Sequence, residues 1–128
     1  MKRLSIFLLP LFLMAGCGAP AEPPLTYRQV TMGEAVTMMA AESNYILLDV
    51  RTPEEFAERH IPGAINVPNE TIGTDEITEL PSKDQLILVY CRSGNRSKQA
   101  SDKLVTLGYT NIVEFGGIID WPGEVISG

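Results

Sequence analysis

The chain has 128 residues, 45% of them hydrophobic and 20% charged, the balance of a single globular domain rather than a disordered segment. Ten basic residues against sixteen acidic ones leave a net charge of −6, which argues against a nucleic-acid partner. One histidine cannot make a metal site alone, and no metal is expected.

Met1 to Gly16 has the three parts of an export signal: Lys2-Arg3, an almost wholly apolar run from Leu4 to Met14, then Ala15-Gly16. The run is too short for a helix that spans and stays. Leu13-Met14-Ala15-Gly16-Cys17 resembles the bacterial lipoprotein signal, although Met14 stands where that signal usually has leucine. The resemblance implies that Cys17 is lipidated, with palmitate-type chains, and becomes the new N-terminus. Gly18 to Pro24, with three prolines, reads as an extended tether. The expected organisation is a signal peptide over 1–16, a lipidated cysteine and tether over 17–26, and one domain over 27–128. The domain is then exported and anchored to a membrane of the bacterial cell envelope. A plain signal peptide, with Cys17 an ordinary residue, is the alternative.

Tyr27 to Val30 predicts a short edge strand. Thr31 with Glu34 is a capping-box pair that opens a helix through about Ala41, and Met32, Ala35, Val36 and Met39 give it an apolar stripe. Tyr45 to Val50 predicts a buried strand ending in Asp49-Val50-Arg51. Thr52-Pro53-Glu54-Glu55 combines an N-cap, a proline at the first helical position and a capping glutamate, so a short helix runs to about Arg59. Glu54, Glu55 and Glu58 there serve the helix dipole and solvent rather than acid catalysis. His60 is read as a structural hydrogen-bonding residue. Ile61-Pro62-Gly63-Ala64 predicts a turn, Ile65 to Pro68 a short strand that proline closes, and Asp75 to Leu80 a weak helical segment within a loop.

Leu86-Ile87-Leu88-Val89-Tyr90 is continuously apolar and branched, the pattern of a strand buried on both faces. Ser97 to Leu107 carries Ala100, Leu104 and Leu107 at helical spacing. Cys91-Arg92-Ser93-Gly94-Asn95-Arg96-Ser97 is therefore a strand-to-helix turn, with a cysteine where converging amides, the helix dipole and two arginines favour a thiolate. The alternative is a small apolar residue ending a core strand. Gly108 closes the helix, Ile112 to Phe115 forms the last strand, and Gly116-Gly117 permits a tight turn before Trp121. Strands alternating with helices predict a parallel α/β sheet, whose ligands bind at the carboxyl ends of the strands. Asp49, Arg51, Val67, Pro68 and Cys91 fall at such ends.

Asp49-Val50-Arg51 with Glu55-Phe56, His60 to Pro68, the Cys91 loop, and the Gly108-Tyr109, Gly116-Gly117 and Trp121 series resemble the single-domain rhodaneses from Tyr27 to the C-terminus. Arg59 departs from the glycine usual before the histidine. The resemblance implies an α/β, rhodanese-like fold: a five-stranded, mostly parallel sheet flanked by helices on both faces, with the cysteine strand central. It implies a sulfurtransferase that moves sulfane sulfur from thiosulfate or a related donor, through a Cys91 persulfide, to cyanide, a small thiol or a thioredoxin-like protein, with no cofactor. Arg92, Ser93, Gly94, Asn95, Arg96 and Ser97 would bind the donor and persulfide, although Arg96 equally suits a structural ion pair. Asp49 and Arg51 would brace the loop.

Two rivals share the thiolate: an arsenate reductase or phosphatase, and a non-catalytic sulfur-binding module. Four residues separate Cys91 from Arg96, whereas phosphatases of this design resemble one another in having five. A shorter ring of amides suits one sulfur atom rather than a tetrahedral oxyanion. Mass spectrometry of the mature chain tests the leader, with an acylated Cys17 as the expected N-terminus; an unmodified Cys17, or a different N-terminus, overturns that expectation.

Overall fold

The computed structural model describes residues 26–128, so the signal peptide, Cys17 and nearly all of the tether lie outside the described residues. Its elements are β1 (Arg28–Gln29), α1 (Met32–Ala41), β2 (Tyr45–Asp49), α2 (Pro53–Glu58), β3 (Ile65–Asn66), β4 (Leu86–Cys91), α3 (Asn95–Thr106) and β5 (Ile112–Gly117). Single turns of 3-10 helix follow β3 and β5, at Asn69–Thr71 and Ile118–Asp120. The strands form one sheet in the order β1-β5-β4-β2-β3. Every pairing is parallel, so the fold is the expected five-stranded parallel α/β sheet with the cysteine strand at its centre.

The two faces of the sheet follow from alternation along the strands. Leu48, Val50, Ile87, Val89 and Cys91 join Ala100 and Leu104 of α3 in one core cluster. Leu47, Leu88, Tyr90, Val113 and Phe115 pack on the other side with Ala35 of α1, Phe56 of α2 and the half-buried Met32, Met38 and Met39. Within β4 only Leu86 is less than fully buried, as its unbroken apolar run requires.

Both N-terminal caps form as the sequence dictates. Thr31 and Glu34 exchange hydrogen bonds at the start of α1, and Thr52 and Glu55 do the same at α2 with Pro53 inside the first turn. Each box satisfies two otherwise orphaned amides. In α1 the stripe differs from the expected one: Val36 is 37% exposed, while Met38 packs on the sheet. Met32, Ala35, Met38 and Met39 lie on one arc, and Val36 lies at its edge. Asp75–Leu80 forms turns rather than helix, since Pro81 ends it and only Ile77 and Leu80 turn inward. Arg59 takes an extended conformation with φ −167°, which any residue adopts, so the position does not need glycine.

Charge enters the core at one point on β2. Asp49 is fully buried and Arg51 is 3% exposed, and they pair at 2.7 Å. Asp49 also accepts from the Arg51 amide, and the Arg51 guanidinium donates onward to the Arg59 carbonyl at 2.6 Å. The hydrogen bonds of these two residues brace the chain between β2 and His60. His60 stacks on Phe56 with ring centroids 3.8 Å apart and pairs its backbone with Ile126, a structural role. Asp49→Ala strands a buried guanidinium and is expected to cost about 3–5 kcal/mol in urea unfolding. A loss below about 1 kcal/mol would show that the pair is not what fixes this connection.

Candidate active site

Cys91 ends the central strand and is 1% exposed. The chain then turns through Arg92, Ser93 and Gly94 and enters α3 at Asn95, two residues before the first helical position expected from apolar spacing. Gly94 has φ +107°, a left-handed conformation that costs glycine little and other residues much. The turn brings the Gly94 N–H onto Cys91 Sγ at 2.9 Å. An amide donating to sulfur stabilises negative charge on it. The first-turn amides of α3 have no acceptors inside the helix, and the helix dipole adds to their field.

Strand β5 backs the loop. Cys91 registers with Gly117 across a bulge, and a Cβ on Gly117 would overlap the Arg92 carbonyl and the Ser93 nitrogen. The Ile119 amide donates to that carbonyl at 3.3 Å. Ser97 is fully buried behind the sulfur. Its hydroxyl lies 3.4 Å from Cys91 Sγ, 2.9 Å from the Gly94 carbonyl and 2.7 Å from Glu114 Oε1. Glu114, 3% exposed, also accepts from the Gly116 amide at 2.9 Å and from the Gln29 side-chain amide at 3.4 Å.

Among the expected site residues, Arg92, Ser93 and Asn95 have exposed side chains, and Arg92 lines a small cleft with Arg51, Glu55, Arg59 and Ile118. Arg96 is occupied. Its guanidinium grips both oxygens of Glu55, at 2.6 and 3.0 Å, and so ties the first turn of α3 to α2. Ser97 acts on the sulfur from within, its side chain closed to any donor arriving from solvent. Two larger clefts of about 560 Å³ lie near the amino ends of the strands, lined in part by Glu42, Tyr45 and Pro62 or by Arg28, Asn44 and Gln85; neither is lined by Cys91 or its loop. Among the described residues there is no cluster of His, Cys, Asp and Glu that could hold a metal ion.

Two contributors were not visible as site residues in the sequence. Glu55 looks like a capping residue, and it is one, so nothing in its spacing announces a second partner on α3. Glu114 gives a stronger signal: it interrupts the apolar run Ile112 to Phe115 at a position that alternation turns towards α3. A carboxylate there needs partners, and Ser97, Gly116 and Gln29 supply them.

Residues 31–123 match the rhodanese-like domain family. The chain belongs to that family. It is 38% identical over 81 residues to thiosulfate sulfurtransferase PspE of Escherichia coli, covering 63% of this chain and 78% of that one. It is 40% identical over 84 residues to a sulfurtransferase of Allochromatium vinosum, covering 65% and 77%. A match of 38% to the adenylyltransferase and sulfurtransferase UBA4 of Meyerozyma guilliermondii spans 65% of this chain but only 21% of that protein. Among solved structures, a rhodanese with anions from Escherichia coli superposes with a TM-score of 0.60 at 34% identity, covering 66% of this chain and 99% of that one.

The Glu55–Arg96 pair gives this rhodanese-like chain a defined acid response. The Arg96 hydrogen bonds, opposed by partial burial and aided by the Thr52 amide, hold the Glu55 carboxyl at about 2 against the ordinary 4.5. A depressed carboxyl contributes stability that is complete above about pH 4.5 and is lost as pH falls through about 2. Glu55→Gln is expected to cost about 1 kcal/mol at neutral pH, because the pair is nearly a third exposed. Urea unfolding across the acid limb should show the two proteins converging below about pH 2; a constant gap would overturn this account.

Proposed function

We propose that the chain is a sulfurtransferase of the thiosulfate type, working through a Cys91 persulfide. The observation that carries this reading is the three-residue turn that sets the Gly94 amide on Cys91 Sγ at 2.9 Å. Its relatives named as sulfurtransferases support the reaction class.

The Cys91 thiolate attacks the outer sulfur of thiosulfate. The sulfur–sulfur bond of the donor breaks, and sulfite leaves with the bonding electrons. The new persulfide carries its charge on the outer sulfur, held by loop amides as an oxyanion hole holds oxygen. A nucleophile, either a small thiol, cyanide or a thioredoxin-like protein, then attacks that outer sulfur and returns Cys91 to the thiolate. This is ping-pong covalent catalysis and uses no cofactor. Arg92, exposed beside the nucleophile, attracts the dianionic donor. The apolar leader and the sequence ending in Cys17 support an exported domain held to the cell envelope by a lipid.

The arsenate reductase and phosphatase reading needs the arginine that closes the cysteine loop, here Arg96, to bind a tetrahedral oxyanion. Arg96, with both of its terminal nitrogens on Glu55, argues against it, as does the short loop. Wild-type protein incubated with thiosulfate is expected to gain about 32 Da at Cys91, the mass of one sulfur, as a covalent intermediate requires. Cys91→Ser should remain folded, gain no mass and lose thiosulfate:cyanide turnover. Faster hydrolysis of an aryl phosphate than transfer of sulfur, or turnover retained in Cys91→Ser, would overturn the proposal.

A further inference from the structure

The Ser97 hydroxyl has one proton and several acceptors within reach. Its shortest contact, 2.7 Å, is to the Glu114 carboxylate, and a charge-assisted bond outcompetes the neutral carbonyl of Gly94 at 2.9 Å. With that proton directed at Glu114, the lone pairs of Ser97 Oγ face Cys91 Sγ at 3.4 Å. The sulfur thus meets an acceptor, and behind it, within roughly 6 Å of Sγ by way of these two contacts, a carboxylate. That is the range in which like charges disfavour one another.

Glu114 is the buried acid of this region. The charged or titratable groups near it on other elements are Tyr27 beside β1, Glu34 on α1, Lys98 and Asp102 on α3, and Asp120 beyond β5. Glu34, Lys98, Asp102 and Asp120 are exposed, so water and salt screen them. Tyr27 is half-buried, with its phenol pushed up by burial and then by Asp102 and Glu114, and so it stays neutral. Arg96 acts on Cys91 with the opposite sign, but Glu55 matches its charge. Arg92 faces solvent.

We propose that Glu114 is a positioning residue for the sulfur cycle of Cys91: its buried carboxylate, coupled to the sulfur through the Ser97 hydroxyl, disfavours the bare thiolate and favours the persulfide. This rests on the sulfurtransferase reading above. In loading, the sulfur–sulfur bond of thiosulfate breaks, a bond from Sγ to the sulfane sulfur forms, and sulfite leaves with the electron pair. One negative charge passes from Sγ to the outer sulfur. Ser97, fully buried, fills the inner side of Sγ, so the incoming sulfur attaches on the outer side, about 2 Å further from Glu114. Repulsion that burdens the empty enzyme is thereby partly relieved when sulfur is loaded.

The test uses the full chain, with Glu114→Gln and Glu114→Asp beside wild type. Iodoacetamide alkylation is followed against pH by mass spectrometry of the peptide carrying Cys91, which separates it from Cys17. Glu114→Gln keeps acceptors for Ser97 and Gly116 but removes the charge. It is expected to move the alkylation midpoint down by about one pH unit, with Glu114→Asp staying nearer to wild type. At a pH above both midpoints, and at one fixed ratio of thiosulfate to sulfite, the persulfide-to-thiolate ratio in Glu114→Gln should fall about twofold, because carrying the charge from roughly 6 to roughly 8 Å relieves about a quarter of a one-unit repulsion. A midpoint that stays put or rises, with near-ultraviolet circular dichroism unchanged, overturns the proposal. Should Glu114→Gln fail to fold, carbon-13 NMR of wild type decides: the Glu114 carboxyl resonance must move as Cys91 ionises, and a resonance indifferent to Cys91 overturns the proposal. A shifted midpoint without any sulfur loading overturns the sulfurtransferase reading alone; normal loading with an unshifted midpoint overturns the role of Glu114 alone.

Discussion

The cysteine end of β4 depends on how closely a backbone can approach a backbone. At Gly117 the Cys91 loop lies against β5 where a side chain would otherwise stand, and that approach lets the chain turn back within three residues and begin α3. A wider turn would carry the Gly94 amide off the sulfur. The bulge between Val89 and Cys91 belongs to the same arrangement, because it breaks the regular ladder where β4 gives way to the loop. The site is therefore a property of two adjacent strands, and the cysteine is its most visible atom.

Around that turn, each buried or half-buried charged group has a specific partner. Arg96 holds Glu55 across the gap between α3 and α2, Arg51 holds Asp49 and the Arg59 carbonyl, and Glu114 gathers three donors beneath the loop. Of the arginines closest to the cysteine, this leaves Arg92 as the exposed one. Fixing the remainder keeps the loop amides in one geometry, and fixed dipoles need no reorganisation when charge arrives.

The fold was largely legible because its signals are local. Two capping boxes, a proline at the first helical position, an unbroken apolar strand and paired glycines each determine the conformation of the few residues that carry them. The cysteine turn was legible for the same reason. What escaped was long-range or served two purposes. Glu55 completes a cap, which hides its partner 41 positions later. Glu114 lies 17 residues from Ser97, and no sequence period links them. The exchange of Val36 for Met38 reflects an arc of helix wider than a strict seven-residue stripe. The 75–80 segment had helical spacing but too few inward residues and a proline at its end.

The sheet's two edges bear on how sulfur could be passed to another protein. Strands β1 and β3 are two residues long, so each outer margin offers little main chain for a further strand to pair with. Recruitment by strand addition, which draws its affinity from such margins, has almost no purchase here. A macromolecular acceptor of the kind proposed above would instead meet loops and side chains at the carboxyl end of the sheet, which favours brief encounters over stable joining of sheets.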